Sequence, residues 1–222
     1  PEWWPDGRRI FWVRNSEGQT GLWSKAADGR GGETMLYDPP QNQYEAAVTR
    51  DGGWLVVRQN DSVTGRDLWL VKLPEGTATP LLRSPASEHN PKLSPDGRYL
   101  AYVSNVSGRG EVYVRTFPDS GGTWVVSRGG GSEPAWSASG RELFYRVGDA
   151  IVAVPVETRP TFTVGRADTL FTGMYVPNAN HTIFDVHPDG QRFVMVGMAA
   201  GERRALVVLN WAAELARGAS GR

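Results

Sequence analysis

The chain has 222 residues, with 24 lysines and arginines balanced by 24 aspartates and glutamates, three histidines and no cysteine. A net charge of zero with no basic run gives none of the footprint that a phosphate backbone or anionic lipid requires, so nucleic acid and membrane surfaces are disfavoured as partners. The absent thiols exclude disulfide scaffolds, cysteine nucleophiles and Cys-type zinc sites. The longest apolar stretches, FVMVGMAAG at 193–201 and ALVVLNWAA at 205–213, are about half of what a membrane-spanning helix needs.

In chain order, one short phrase recurs: PEWWPDGRRIFW, YEAAVTRDGGWLVV, HNPKLSPDGRYLAY, SEPAWSASGRELFY and TIFDVHPDGQRFVM. Its turn glycines are Gly7, Gly52, Gly97, Gly140 and Gly190, spaced 45, 45, 43 and 50 residues apart. A period of roughly 40–50 residues belongs to propeller blades. Four residues before each glycine stands Trp3, Val48, Leu93, Trp136 or Val186; three and five after it come pairs such as Ile10/Trp12 and Leu100/Tyr102. Alternation on both sides of a Gly turn predicts a hairpin, with Asp bonding nearby backbone and Gly taking the positive φ. Arg50 in place of Pro and Ser139 in place of Asp predict looser second and fourth turns.

Third strands follow as GLWSKA, DLWLVKL, EVYVRTF, AIVAVPV and RALVVLN, and fourth strands as ETMLYD, TPLLRSP, TWVVSRG and DTLFTG. The predicted fold is therefore all-β: a β-propeller of four-stranded antiparallel blades in a single domain over 1–222. The repeats fall at about 1–43, 44–88, 89–131, 132–181 and 182–210. Asn210 and Gly218 predict a short C-terminal helix over 211–217. The chain begins inside a repeat without an initiator Met, and its fifth unit has no fourth strand. Both features predict part of a longer protein and of a six- to eight-bladed ring.

The PKLSPDGRYLAY segment at 91–102, echoed at 1–12 and 182–195, resembles the TolB-type, WD-repeat-like β-propeller family, a likeness that spans the chain. The ending ALVVLNWAAELAR resembles the propeller region attached to bacterial membrane-anchored serine/threonine protein kinases. That second resemblance implies a periplasmic or otherwise extracytoplasmic setting behind a membrane helix. None of the kinase's own motifs, neither H-R-D nor D-F-G, occurs in these 222 residues.

Candidate functional residues cluster where the first strand of each blade begins. Seven residues before each turn glycine stand Glu45, Asn90, Glu133 and Ile183; two further on stand Glu2, Ala47, Lys92, Ala135 and Asp185, which the pleat aims at a central channel. With His89 and His181 at blade connections, Glu45, Asn90, Glu133, Lys92 and Asp185 form the predicted ligand-binding set at the channel mouth. Solvated loop charges are the competing explanation. No catalytic residue and no metal ligand is predicted: G-x-S-x-G and HExxH are absent. No cofactor is expected either, although acidic and amide groups around a pore would suit a cation such as calcium. NDSVTGRD at 60–67 lacks the order of a calcium loop and reads as turn chemistry. The nine tryptophans invite a sugar-stacking reading, but Trp3, Trp12 and Trp136 fall on core-phase positions.

Two functions follow. The first is a non-catalytic binding, sensor or protein-interaction module, monomeric, which offers Gln43, Tyr44, Glu88, His89, Asn90 and GMYVPNANHT to a protein, peptide or small ligand. The second is the propeller of a hydrolase, either gating a peptidase or catalysing metal-dependent lactone opening.

Overall fold

The computed structural model describes residues 1–16, 19–39, 43–176, 181–199 and 202–209. These residues form five antiparallel sheets in chain order. Blade 1 comprises strands Glu2–Trp3, Arg9–Ser16, Gln19–Ala26 and Thr34–Tyr37. Blade 2 comprises Gln43–Val48, Trp54–Asp61, Gly65–Lys72 and Thr77–Leu82, and blade 3 Glu88–Leu93, Tyr99–Ser104, Glu111–Thr116 and Thr123–Val125. Blade 4 comprises Ser132–Trp136, Glu142–Val147, Ala150–Glu157 and Asp168–Thr172; blade 5 comprises Phe184–Val186, Arg192–Ala199 and Glu202–Leu209. The predicted all-β propeller architecture is present, and among the described residues there is no helix. The helix predicted at 211–217 lies outside them.

One strand was not legible in the sequence. Thr163–Val164 pairs with Val156 and Glu157, while the other half of the same long strand pairs with Asp168–Thr172. The insertion that stretches the last glycine spacing to 50 residues thus folds back on blade 4 and lays Phe162 over the preceding blade.

The five turns are alike. Each turn glycine donates its N–H to the carbonyl three residues earlier at 2.8–2.9 Å, and each has φ between 67° and 72°. The looser turns expected at Arg50 and Ser139 are not seen. Asp51 still accepts from Gly53 N and Thr49 Oγ1. Ser139 Oγ pairs with Ser137 Oγ and accepts from Arg141 N, reproducing what Asp96 does with Ser94 and Arg98. A hydroxyl can replace the carboxylate in this role.

Packing explains the repeated phrase. A blade within the stack has neighbours on both faces, so both phases of its second strand are apolar. Leu55 and Val57 pack back on Phe11 and Leu22 of blade 1, while Val56 packs forward on Leu100 and Tyr102 of blade 3. Ala101 and Val103 then meet Leu143 and Tyr145 of blade 4, and Phe144 meets Phe193 and Met195 of blade 5. The written pairs three and five after each glycine are those that face the preceding blade. In blade 1 that face carries Trp3, which is 62% exposed against the expectation of a core position, while its neighbour Trp4 is 7% exposed and packs towards blade 2. Trp136 does join the core, and its indole N–H donates to Lys92 O at 3.0 Å.

Candidate functional site

The first strands of blades 2, 3 and 4 lie side by side, and each carries a register irregularity near its start. Those β-bulges decide where the candidate residues point, because an extra residue turns its side chain out of the pleat. At the bulges Asn90 and Glu133 adopt positive φ, 53° and 54°. For glutamate that left-handed backbone costs about 1–2 kcal/mol, and the surrounding bonds hold it there.

Glu45 reaches from blade 2 to blade 3. Its carboxylate accepts from Asn90 N at 2.8 Å and from Asn90 Nδ2 at 2.5 Å, with the buried Arg58 Nε at 3.7 Å. Glu133 repeats the arrangement between blades 4 and 5: it accepts from Ile183 N at 2.9 Å, with Arg146 Nη1 at 3.5 Å. Arg146 also donates to the carbonyls of Gly148, Tyr175 and Val176, fixing the segment that leads towards blade 5. Burial pushes the Glu45 carboxyl up to about 7 against the opposing pull of Arg58 and the Asn90 amide. It raises Glu133 likewise, against the Ile183 amide and Arg146. Both carboxylates thus bond one blade to the next.

The sequence reading missed Arg58 and Arg146, yet a signal was there. Glu45/Arg58 and Glu133/Arg146 stand 13 residues apart, and where the first position is Asn90 or Ile183 the second is Val103 or Val196. A carboxylate and a guanidinium enter the repeat together, as a buried charge requires.

The remaining candidates divide between two surroundings. Glu45, Asn90, Lys92 and His181 line a cavity of about 440 Å³ together with Glu2 and Trp12. Lys92 Nζ and Glu2 form an ion pair that joins blade 3 to blade 1; the small Ala47 occupies the same repeat position in the blade between them. His181 is exposed, and partial desolvation with the positive charge of Arg58 lowers its pKa. Glu133, His89 and Asp185 are not part of this lining. His89 is pushed down to about 4, chiefly by burial, with Nδ1 2.7 Å from Asn90 Oδ1. Asp185 is exposed and bonds Val186 N. Asp61, in the loop that only loosely followed a calcium pattern, accepts from Val63 N and Thr64 N, which is turn chemistry. Among the described residues no group of three or more His, Asp or Glu is placed to hold a metal ion, and no helix is long and apolar enough to cross a membrane.

This architecture is shared with solved β-propellers. The chain is similar to TolB from Acinetobacter baumannii, with a TM-score of 0.73 at 13% identity over 95% of this chain and 51% of that one. It is similar to a protein assigned as TolB from Agrobacterium tumefaciens, with a TM-score of 0.72 at 19% identity over 95% of this chain and 76% of that one. An oligogalacturonate lyase in complex with manganese also matches, with a TM-score of 0.58 at 13% identity over 96% of this chain and 73% of that one. The chain spans about half the length of the Acinetobacter TolB. At these identities the likeness defines a TolB-like propeller fold. No protein-family model matches the chain, and no curated protein matches it.

Proposed function

We propose that this propeller is a non-catalytic binding module whose ligand, a peptide or protein segment, enters the cavity at the start of the first strands. The observation that carries the reading is the convergence there of Glu2 from blade 1, Lys92 from blade 3 and His181 from the connection into blade 5 on one cavity of about 440 Å³. The Lys92–Glu2 ion pair in the lining offers a donor and an acceptor that a ligand carrying both can exchange with, and the His181 imidazole adds a group able, when neutral, to do either. Metal-dependent catalysis would need convergent carboxylates, whereas Glu45 and Glu133 turn theirs onto the backbone of the next blade. The proposed setting is extracytoplasmic, and the proposed parent protein is a membrane-anchored serine/threonine kinase, a reading that rests on the resemblance of ALVVLNWAAELAR alone.

The test is selection of a random dodecapeptide phage library on the protein, alongside turnover assays with peptide, ester and lactone substrates. Peptides enriched on the wild type and lost on a Lys92→Ala/His181→Ala variant support the reading. Peptides that bind both proteins equally, or turnover of any substrate class, overturn it.

A further inference from the structure

The opposite ends of the first strands, where the five turns lie, carry a second groove. It has a volume of about 570 Å³ and lies between blades 2 and 3, with Trp54, Leu70, Phe117 and Pro118 as apolar walls beside Gly97 and with Arg50 on its lip. Trp54 and Leu70 are only half-buried, although both stand on the face of blade 2 that packs forward on blade 3.

The next interface shows what such a place holds when it is filled. Between blades 3 and 4, Tyr99 occupies the repeat position of Trp54, two residues after the turn glycine. Against it packs Phe162, 2% exposed, with ring centroids 5.1 Å apart. Trp124 lies 5.1 Å from the same ring, and Trp136 lies 6.3 Å away, edge-on. Phe162 arrives on the inserted stretch of blade 4, and Tyr99 Oη anchors that stretch by donating to Thr158 O at 3.2 Å. Blade 3 has no such insertion: after its third strand the chain turns at Phe117-Pro118 and reaches Thr123 within a few residues. The same inter-blade position is therefore plugged by the chain's own phenylalanine on one side of blade 3 and left as a groove on the other.

Both signs of charge stand at the groove, with Asp51 in its lining beside Arg50. Asp51 has its carboxylate bonded by Thr49 Oγ1 and Gly53 N, and Asp96 on the adjoining turn is bonded by Ser94 Oγ and Arg98 N. Arg50, which stands where three of the other four turns have proline, makes no ion pair within 4 Å among the described residues. An exposed guanidinium beside an aromatic-walled groove matches a carboxylate that follows an aromatic side chain.

We propose that the groove between blades 2 and 3 binds an extended peptide segment in which a phenylalanine or tyrosine is followed by an acidic residue: the ring occupies the place that Phe162 fills in the next interface, and the carboxylate meets Arg50. This site is separate from the cavity at the other end of the first strands and does not depend on it.

The probe is the peptide acetyl-Pro-Thr-Phe-Glu-amide, titrated into the protein by calorimetry and by competition with its Phe→Ala and Glu→Gln forms. The expected result is saturable binding, weakened at least tenfold by Phe→Ala and several-fold by Glu→Gln. Arg50 is exposed, so Arg50→Glu leaves the fold intact; it is expected to weaken the glutamate peptide tenfold or more and to leave the glutamine peptide unchanged. Lys92→Ala is expected to change neither. No saturation at millimolar peptide, equal binding of the Phe→Ala form, indifference to Arg50→Glu, or loss of binding in Lys92→Ala instead would each overturn the proposal.

Discussion

Replacing Glu45 by glutamine separates what its charge does from what its hydrogen bonds do. Its side chain is 9% exposed, and burial lifts its pKa from 4.5 to about 7, despite Arg58, the Asn90 amide, Lys92 and Arg66, each of which favours the ionised form. A carboxyl whose folded-state pKa lies above its unfolded value binds its proton more tightly in the native protein. Its contribution is fully present below about 4.5 and is lost as pH rises through about 7. Across that window the loss is on the order of 3 kcal/mol. Glutamine keeps one acceptor for Asn90 and never ionises. It costs about 1 kcal/mol for the second bond and escapes the loss at high pH. Glu45→Gln is therefore expected to be slightly less stable than the wild type at pH 5 and more stable by about 2 kcal/mol at pH 8. Glu45→Ala leaves the Asn90 donors without an acceptor and opens a void, so it is expected to be less stable by about 2–4 kcal/mol at pH 5. Reversible urea unfolding followed by tryptophan fluorescence at both pH values measures all three proteins. If the difference between Glu45→Gln and the wild type is the same at pH 5 and pH 8, the buried carboxyl does not titrate in this window. Burial then does not outweigh the pull of Arg58 on this carboxyl.

Two further substitutions probe the turns and the plug, again by urea unfolding. Gly52 and Gly97 have φ of 72° and 71°, but a Cβ on Gly52 would lie 3.0 Å from Trp4 Nε1 whereas one on Gly97 meets nothing within 4 Å. Gly97→Ala is expected to cost about 1–2 kcal/mol for the backbone alone, and Gly52→Ala more than that; equal costs would show that the indole simply moves aside. Phe162→Ala removes the ring shared by Tyr99, Trp124 and Trp136 and is expected to cost about 3–5 kcal/mol. Val106→Ala, at a side chain 67% exposed, should stay within about 0.5 kcal/mol, and a similar value for Phe162→Ala would show that the inserted segment is not packed as described.

The architecture was legible because each blade has to repeat the same physical solution. A hairpin needs its Gly at a fixed place, and a sheet covered on both faces needs apolar residues in both phases, so the period and the strand order are written five times. What was not legible follows from departures of the backbone from the pleat. The bulges at Asn90 and Glu133 carry no glycine or other compositional mark, so alternation assigned these side chains to a pore when the backbone aims Glu133 at its neighbour. Trp3 was assigned to a core because its spacing is that of Trp136, but a core position in a repeat is buried by the neighbouring blade as well as by its own. Phe162 gave no signal beyond the long spacing in which it lies. The groove at Trp54 could be seen only by comparing two interfaces in space.

These differences bear on how recognition and cohesion are divided within one set of equivalent positions. The positions seven residues before the turn glycines join blades, through Glu45 to Asn90 and through Glu133 to Ile183, and each uses a buried arginine from its own blade where the residue is acidic. The positions two residues further on are occupied by alanine in blades 2 and 4 and by charged groups in blades 1, 3 and 5, and of these Glu2 and Lys92 reach the cavity. A change at Lys92 alters the charge of the cavity lining and breaks the ion pair to Glu2 without removing an acceptor from any inter-blade amide, whereas a change at Glu45 or Glu133 opens an interface first. Recognition can therefore vary along one row of the repeat while the row beside it keeps the blades together, which is the arrangement that lets one propeller fold serve unrelated ligands.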